Sequence, residues 1–162
     1  MKHIGTLIAV RDMERSKRFY KDLFGLDVEL DSGANVVLTG GTLFLQTLDT
    51  WTGFIHKAES EIDLYNNATE IYFEESDMDN FLMKLNAYTN IEYVHPLIEH
   101  NWGQRAVRFR DPDGHIIEVG EDMRMVVRRF LGSGMTASET AVRMDVPESY
   151  VLNMIDDGEK PL

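Results

Sequence analysis

One carboxylate stands out in the stretch RFRDPDGHIIEVGE, Arg108 to Glu121: Glu118 lies among hydrophobic neighbours just after a tight Asp-Pro-Asp-Gly turn. A carboxylate in an otherwise apolar strand can ligate a metal, touch a substrate, or sit on a face that meets water. His115 is three residues away, so in a strand the two side chains point to opposite faces and cannot grip one ligand. Glu70, Tyr72 and Glu74 alternate along another strand candidate, where they form either a solvent-facing surface or a pocket wall. Trp102 and Arg105, in NWGQR, offer a flat ring and a cation to a ligand; a structural tryptophan at a turn is the alternative. His56, His95 and His100 fall in turns or connectors.

Several chemistries are excluded. The 162 residues contain no cysteine, which removes disulfides, thiolate metal sites and a cysteine nucleophile. No Ser/His/Asp order and no glycine-rich phosphate loop is present. The formal charge of −12 works against a polyanionic partner, whose phosphates need clustered Lys and Arg. Apolar runs are too short for a membrane span and the N-terminus lacks a secretory signal, so a cytoplasmic protein is expected.

The elements that must position these residues follow from periodicity. Residues 2–10 alternate as a strand, with Ile4, Ile8 and Val10 on one face and His3, Gly5 and Ala9 on the other. Asp12 then caps a helix whose stripe is Met13, Ser16, Tyr20, Leu23 and Phe24 and whose stop is Gly25. LDVEL, NVVLT and TLFLQTL read as a three-stranded meander, with Phe44 and Gln46 opposite the core residues Leu43 and Leu45. Residues 49–67 read as a surface connector. The order then repeats: strand ATEIYFEE, a helix capped by Ser76 with Asp79 in a capping-box position, and strands IEYVHP, QRAVRFR and HIIEVGE. The expected fold is α+β, with paired βαβββ modules forming a curved eight-stranded mixed sheet around a cleft.

Three features together resemble the glyoxalase I, bleomycin-resistance and extradiol dioxygenase (vicinal oxygen chelate) superfamily: VRDMERSKRFYKDLFGLDV, NWGQRAVRFRDPDGHIIEV and the doubled βαβββ order. The resemblance covers residues 1–121 and implies homodimers. It does not select a function, because the superfamily includes lyases, dioxygenases, transferases, epimerases and drug-binding proteins. Metal-using members take one ligand each from the first, fourth, fifth and last strands. The resemblance places Glu118 on the last position and Glu70 on the fifth-strand position, where histidine is usual. It places Gly5 and Phe44 on the other two, with His3 and Gln46 each two residues away. A strand register fixed by its buried face does not slip to bring them in.

Residues 122–162 fall outside this pattern and are expected to form a helical, helix-turn-helix-like extension. DMRMVVRRFL forms its first helix, Ala141 and Val151 have helix-turn-helix spacing around a turn at Val146–Pro147, and Val151 and Ile155 return to the core. The second helix lacks the cations needed to read DNA. Arg124, Arg128 and Arg129 form a basic cluster suited to docking on an acidic surface of the same protein. The expected function is small-molecule binding by Phe44, Gln46, Glu70, Tyr72, Trp102, Arg105 and Glu118, with no cofactor. The alternative is a lyase or dioxygenase with a divalent metal on His3, Gln46, Glu70 and Glu118. A second alternative is a ligand-sensing regulator acting through the C-terminal helices.

Overall fold

A computed structural model describes residues 1–156. Eight strands divide into two four-stranded sheets, of order β1-β4-β3-β2 and β5-β8-β7-β6, so each βαβββ module builds its own sheet. The first module contains β1 (Thr6–Val10), α1 (Met13–Phe24), β2 (Val28–Asp31), β3 (Asn35–Leu38) and β4 (Leu43–Thr47). The second contains β5 (Glu70–Glu75), α3 (Met78–Ala87), β6 (Glu92–Glu99), β7 (Arg105–Arg110) and β8 (Ile116–Glu121). Between them, α2 (Leu48–Ile55) and a short 3-10 turn at Glu59–Glu61 occupy the stretch expected to be connector. The helices α4 (Met123–Gly132), α5 (Ala137–Met144) and α6 (Glu148–Asp156) end the described chain. Among the described residues no helix is long and apolar enough to cross a membrane.

The chain separates into two compact units: residues 1–70, 88–92 and 110–116 in the first, and residues 71–87, 93–109 and those from 117 on in the second. In the first unit β1 runs parallel to β4, pairing Ile8 with Leu45, and β3 runs antiparallel to β4, pairing Val36 with Leu45. Ile8, Val10, Val36, Leu38 and Leu45 are buried with Phe19, Tyr20 and Leu23 of α1. This is the amphipathic stripe of α1, with Phe19 added and Phe24 only half-buried. Asp12 accepts the Arg15 amide at 3.0 Å to start α1. Gly25 ends it in the left-handed region, φ 68°. Strand β1 begins at Thr6, so His3 precedes it and is exposed, a correction to the expected 2–10 strand.

The Asp-Pro-Asp-Gly turn packs within this first unit. The Asp113 carboxylate is fully buried and accepts from the Arg11 amide (3.2 Å), Arg15 Nη2 (2.8 Å) and Ser16 Oγ (3.3 Å). Asp111 accepts from Tyr20 Oη at 3.0 Å and from the amides of Asp113 and His115. His115 Nε2 donates to the Ala9 carbonyl at 2.8 Å. Each buried acceptor is thereby satisfied.

In the second unit Phe81 of α3 stacks on Phe109 of β7, and Asp77 rather than Ser76 caps α3, accepting the Asn80 amide at 3.1 Å. Ser and Asp are comparable caps, so sequence alone does not rank adjacent candidates. The C-terminal helices share a core of Val126, Val127, Phe130, Ala141, Met144 and Val151. Ala141 and Val151 are buried as the helix-turn-helix spacing requires, whereas Ile155 is exposed. The α5–α6 turn is made by Asp145 at φ 55°, directly ahead of Val146 and Pro147.

Candidate functional site

The hairpin of β7 and β8 sets the geometry around Glu118. The Asp111 amide donates to the His115 carbonyl at 2.9 Å, and continuing that register puts Arg108 opposite Glu118 and Arg105 opposite Glu121. Both pairs form ion pairs. Glu118, 5% exposed, accepts directly from Arg108 Nη2. Arg105, three residues from Arg108 and so on the other face, donates to Glu121 at 2.9 Å and to Asp79 at 2.8 Å. Arg108, not Arg105, is therefore the cation at Glu118.

Arg108 also donates to His95 Nε2 at 3.2 Å, while His95 Nδ1 lies 2.8 Å from the Pro96 carbonyl. A guanidinium needs an acceptor and a carbonyl needs a donor, which together fix the Nδ1–H tautomer. His95 lies inside β6, not in a turn or connector as expected.

A second hydrogen-bonded set lies on the same face of this sheet. A Cβ added at Gly120 would sit 2.8 Å from Gln104 Nε2 and 3.0 Å from Tyr72 Oη, and Gly120 shares its face of β8 with Glu118. Gln104 Nε2 donates to Tyr72 Oη (3.1 Å) and to the Glu121 carbonyl (3.0 Å), and its Oε1 accepts from Trp102 Nε1 at 3.2 Å. Tyr72 in turn donates to Glu74 at 3.2 Å. Burial, more than the Glu74 charge, raises the Tyr72 phenol above its usual value, and the Gln104 bond opposes the rise. Trp102 stacks on His100 with centroids 4.3 Å apart and planes 8° apart. Burial first, then the Arg108 charge with a smaller contribution from His95, holds His100 below the ordinary histidine value. The half-exposed Trp102 ring and exposed Tyr72 ring thus flank a face whose polar groups are already oriented.

Of the remaining expected residues, Glu70 shares the β5 face of Tyr72, two residues away, while Gln46 and Phe44 belong to the first module. Glu70 opens β5 and is exposed. Gln46 is 3% exposed, accepting from Asn35 Nδ2 at 2.9 Å and donating to Thr50 Oγ1 of α2. Helix α2 also covers Ala9, through Leu48 and Trp51. Phe44 is half-buried against Gly5: a Cβ at Gly5 would meet the Phe44 ring at 2.7 Å and the Thr42 carbonyl oxygen closer still. A histidine does not fit at Gly5 unless both give way. The residues on the superfamily's ligand positions therefore do not fit a divalent metal. Two cannot coordinate, and Glu118 already holds a guanidinium. Among the described residues no group of three or more His, Asp or Glu side chains could hold a metal ion.

Sequence reasoning missed Arg108, His95, His100 and Gln104. The signal for Arg108 was present, because a three-residue loop, Pro112 to Gly114, closed by Asp111 and His115 pairs positions 108 and 118. The first unit also has a separate cavity of about 360 Å³, lined by Arg15, Tyr65, Tyr88, Asn90 and Arg110 among others. Its cations are committed, Arg15 to Asp113 and Arg110 to the Gly114 carbonyl and Asn67.

The model of the glyoxalase-like domain matches residues 3–124. Among solved structures, a protein of unknown function from Agrobacterium tumefaciens str. C58 is 34% identical, with a TM-score of 0.65 over 75% of this chain and 94% of that one. A lactoylglutathione lyase from Agrobacterium tumefaciens is 25% identical, with a TM-score of 0.56 over 74% of this chain and 92% of that one. A glyoxalase-related enzyme from Fulvimarina pelagi shares the fold at 18% identity and a TM-score of 0.60, over 73% of this chain and 87% of that one. Comparison with curated proteins gives no match. With two βαβββ modules and a family match over most of its length, the chain belongs to the glyoxalase-like domain family of the vicinal oxygen chelate superfamily.

Proposed function

We propose that this protein binds a small planar molecule on the open face of the β5–β8 sheet, between the His100–Trp102 stack and Tyr72, without a catalytic metal. The observation that carries this reading is the Arg108–Glu118 pair: the carboxylate on the superfamily's last ligand position is neutralised by a cation from the chain itself. A flat ring and preoriented amide and phenol groups supply apolar area and hydrogen bonds, the usual composition of a ligand site. None of the carboxylates or imidazoles on this face has the arrangement of a nucleophile beside its base.

A ligand screen read by thermal shift tests the proposal, since a bound molecule raises the melting temperature by mass action. Hits should lose their shift in Trp102→Ala and Gln104→Ala. Hits unaffected by both would place binding elsewhere.

The competing reading, a metal-dependent lyase, draws on the likeness to the Agrobacterium lactoylglutathione lyase. Elemental analysis of purified protein separates the two: a stoichiometric divalent ion, lost in Glu118→Ala, would overturn the metal-free reading. The regulator reading has less support, because Arg129 and Arg143 are engaged by Glu99 and Glu121 rather than presented to phosphates. The superfamily's habit of dimerising makes a homodimer part of this proposal, and mass in solution measures it.

A further inference from the structure

The loop after β6, residues 100–104, carries His100, Trp102 and Gln104, and it is gripped from one side by α4 and α5, in residues beyond the family match. Arg143 of α5 donates to the Asn101 carbonyl and, at 2.9 Å, to Glu99. Arg129 of α4 donates to the Gly103 carbonyl, to Glu121 at 3.0 Å and to Glu99 at 3.4 Å. Both guanidinia lie over the Phe130 ring, at 5.0 Å and 5.3 Å. Phe130 itself packs on the Gly103 backbone so closely that a Cβ at Gly103, where φ is +90°, would enter its ring. The loop's own backbone bonds are few: the Gly103 amide to the His100 carbonyl (2.8 Å) and the His100 amide to the Gln104 carbonyl (2.9 Å).

We infer that Arg129, Phe130 and Arg143 are positioning residues, through which the C-terminal helices hold the His100–Gln104 loop so that Trp102 and Gln104 present a formed surface to the ligand. This rests on the binding reading above. Two loop carbonyls, and the carboxylate of Glu99 at the end of β6, are fixed by guanidinium donors, which form stronger bonds than neutral donors do. Trp102 and Gln104 are bonded to each other, so fixing the backbone at 101 and 103 fixes both side chains. A five-residue loop without these anchors would sample many conformers, and its ligand would bear the ordering cost. The extension thus acts on affinity without touching the ligand.

The experiment uses the full chain with Trp51→Phe, so that emission reports Trp102 alone. In this background Arg143→Ala should raise amide exchange across residues 100–104 by about tenfold or more while the α4–α6 amides stay protected. Acrylamide should quench Trp102 more readily. Glu99→Gln, which alters the loop side of the same grip, should act in the same direction, and Arg143→Lys should restore part of the protection. The probe for binding is 8-anilinonaphthalene-1-sulfonate, whose affinity should fall about threefold or more in Arg143→Ala. Unchanged exchange in both Arg143→Ala and Glu99→Gln would overturn the brace. Faster exchange with unchanged probe affinity would overturn its role in binding, provided Trp102→Ala weakens the probe. Should Trp102→Ala leave the probe unaffected, the binding reading for this face fails, and the brace is judged on exchange and quenching alone.

Discussion

Arg108 on β7 faces Glu118 on β8 across one hairpin, and its guanidinium holds the carboxylate while also donating to His95. Glu118 is nearly inaccessible to water, whereas Arg108 keeps about a quarter of its side chain exposed, at 24%. The pair is thus asymmetric: removing the cation leaves a buried charge without it, whereas removing the carboxylate leaves a cation that still donates to His95 and reaches solvent.

Arg108→Ala should therefore cost more than Glu118→Gln, about 2–4 kcal/mol against about 1–2, after discounting for the exposure of Arg108. The double variant should lose less than the sum. Urea unfolding of all four proteins gives the coupling energy, and strict additivity would show that the pair contributes nothing.

Glu121 is shared by Arg105 and Arg129. Burial pushes its carboxyl upward, but the two guanidinia outweigh burial and hold it below the ordinary glutamate value. The sign follows from the depressed folded value: the contribution is present above the unfolded pKa and lost as pH falls through the folded one. Glu121→Gln should flatten the acid limb of the stability profile and cost about 1–3 kcal/mol at neutral pH. Asp111, raised chiefly by its burial, works in the opposite sense, its contribution being lost as pH rises through its folded value. Melting temperature against pH for parent and variant resolves the difference.

How far these sites are legible in the sequence depends on locality. The doubled βαβββ order, the Asp12 and Gly25 boundaries of α1 and the Asp-Pro-Asp-Gly turn rest on short-range chemistry, and the structure repeats them. The stretch 49–67 reads as connector because it lacks a consistent period and is rich in polar groups; α2, eight residues long with Leu48 its one buried side chain, leaves little amphipathic signal there. Gly5 was legible as a non-ligand. That the Phe44 ring fills its place was not, since the contact joins two strands far apart in the chain. Gln104 and His100 were passed over because their roles come from partners in other elements, Tyr72 and the Arg108–His95 pair.

The His100–Trp102 stack predicts a pH-dependent emission. Because burial and neighbouring charge lower the His100 pKa, the ring is neutral at neutral pH and protonates below the ordinary value of about 6.5. In the Trp51→Phe background, Trp102 emission should be quenched along that lowered titration as imidazolium forms against the indole. His100→Gln should abolish the transition. The fold loses this contribution as pH falls from the unfolded histidine value through the lowered folded one.

Gly103 combines a left-handed backbone with the Phe130 ring at its α-carbon. Gly103→Ala should destabilise by about 2 kcal/mol or more, from backbone strain plus overpacking. Adding Phe130→Ala should remove the overpacking part, so the double variant should lose less than the two single losses combined. Chemical unfolding measures both.

Gly5 and Phe44 also limit which changes the protein can accept one at a time. An imidazole introduced at Gly5 alone meets the Thr42 carbonyl, and shrinking Phe44 alone opens a void beside a bare α-carbon. Either single step is penalised before any coordinating group is gained, and a third change would still be needed to free Glu118 from Arg108. Placing coordinating groups at these positions would therefore take several changes made together rather than one at a time.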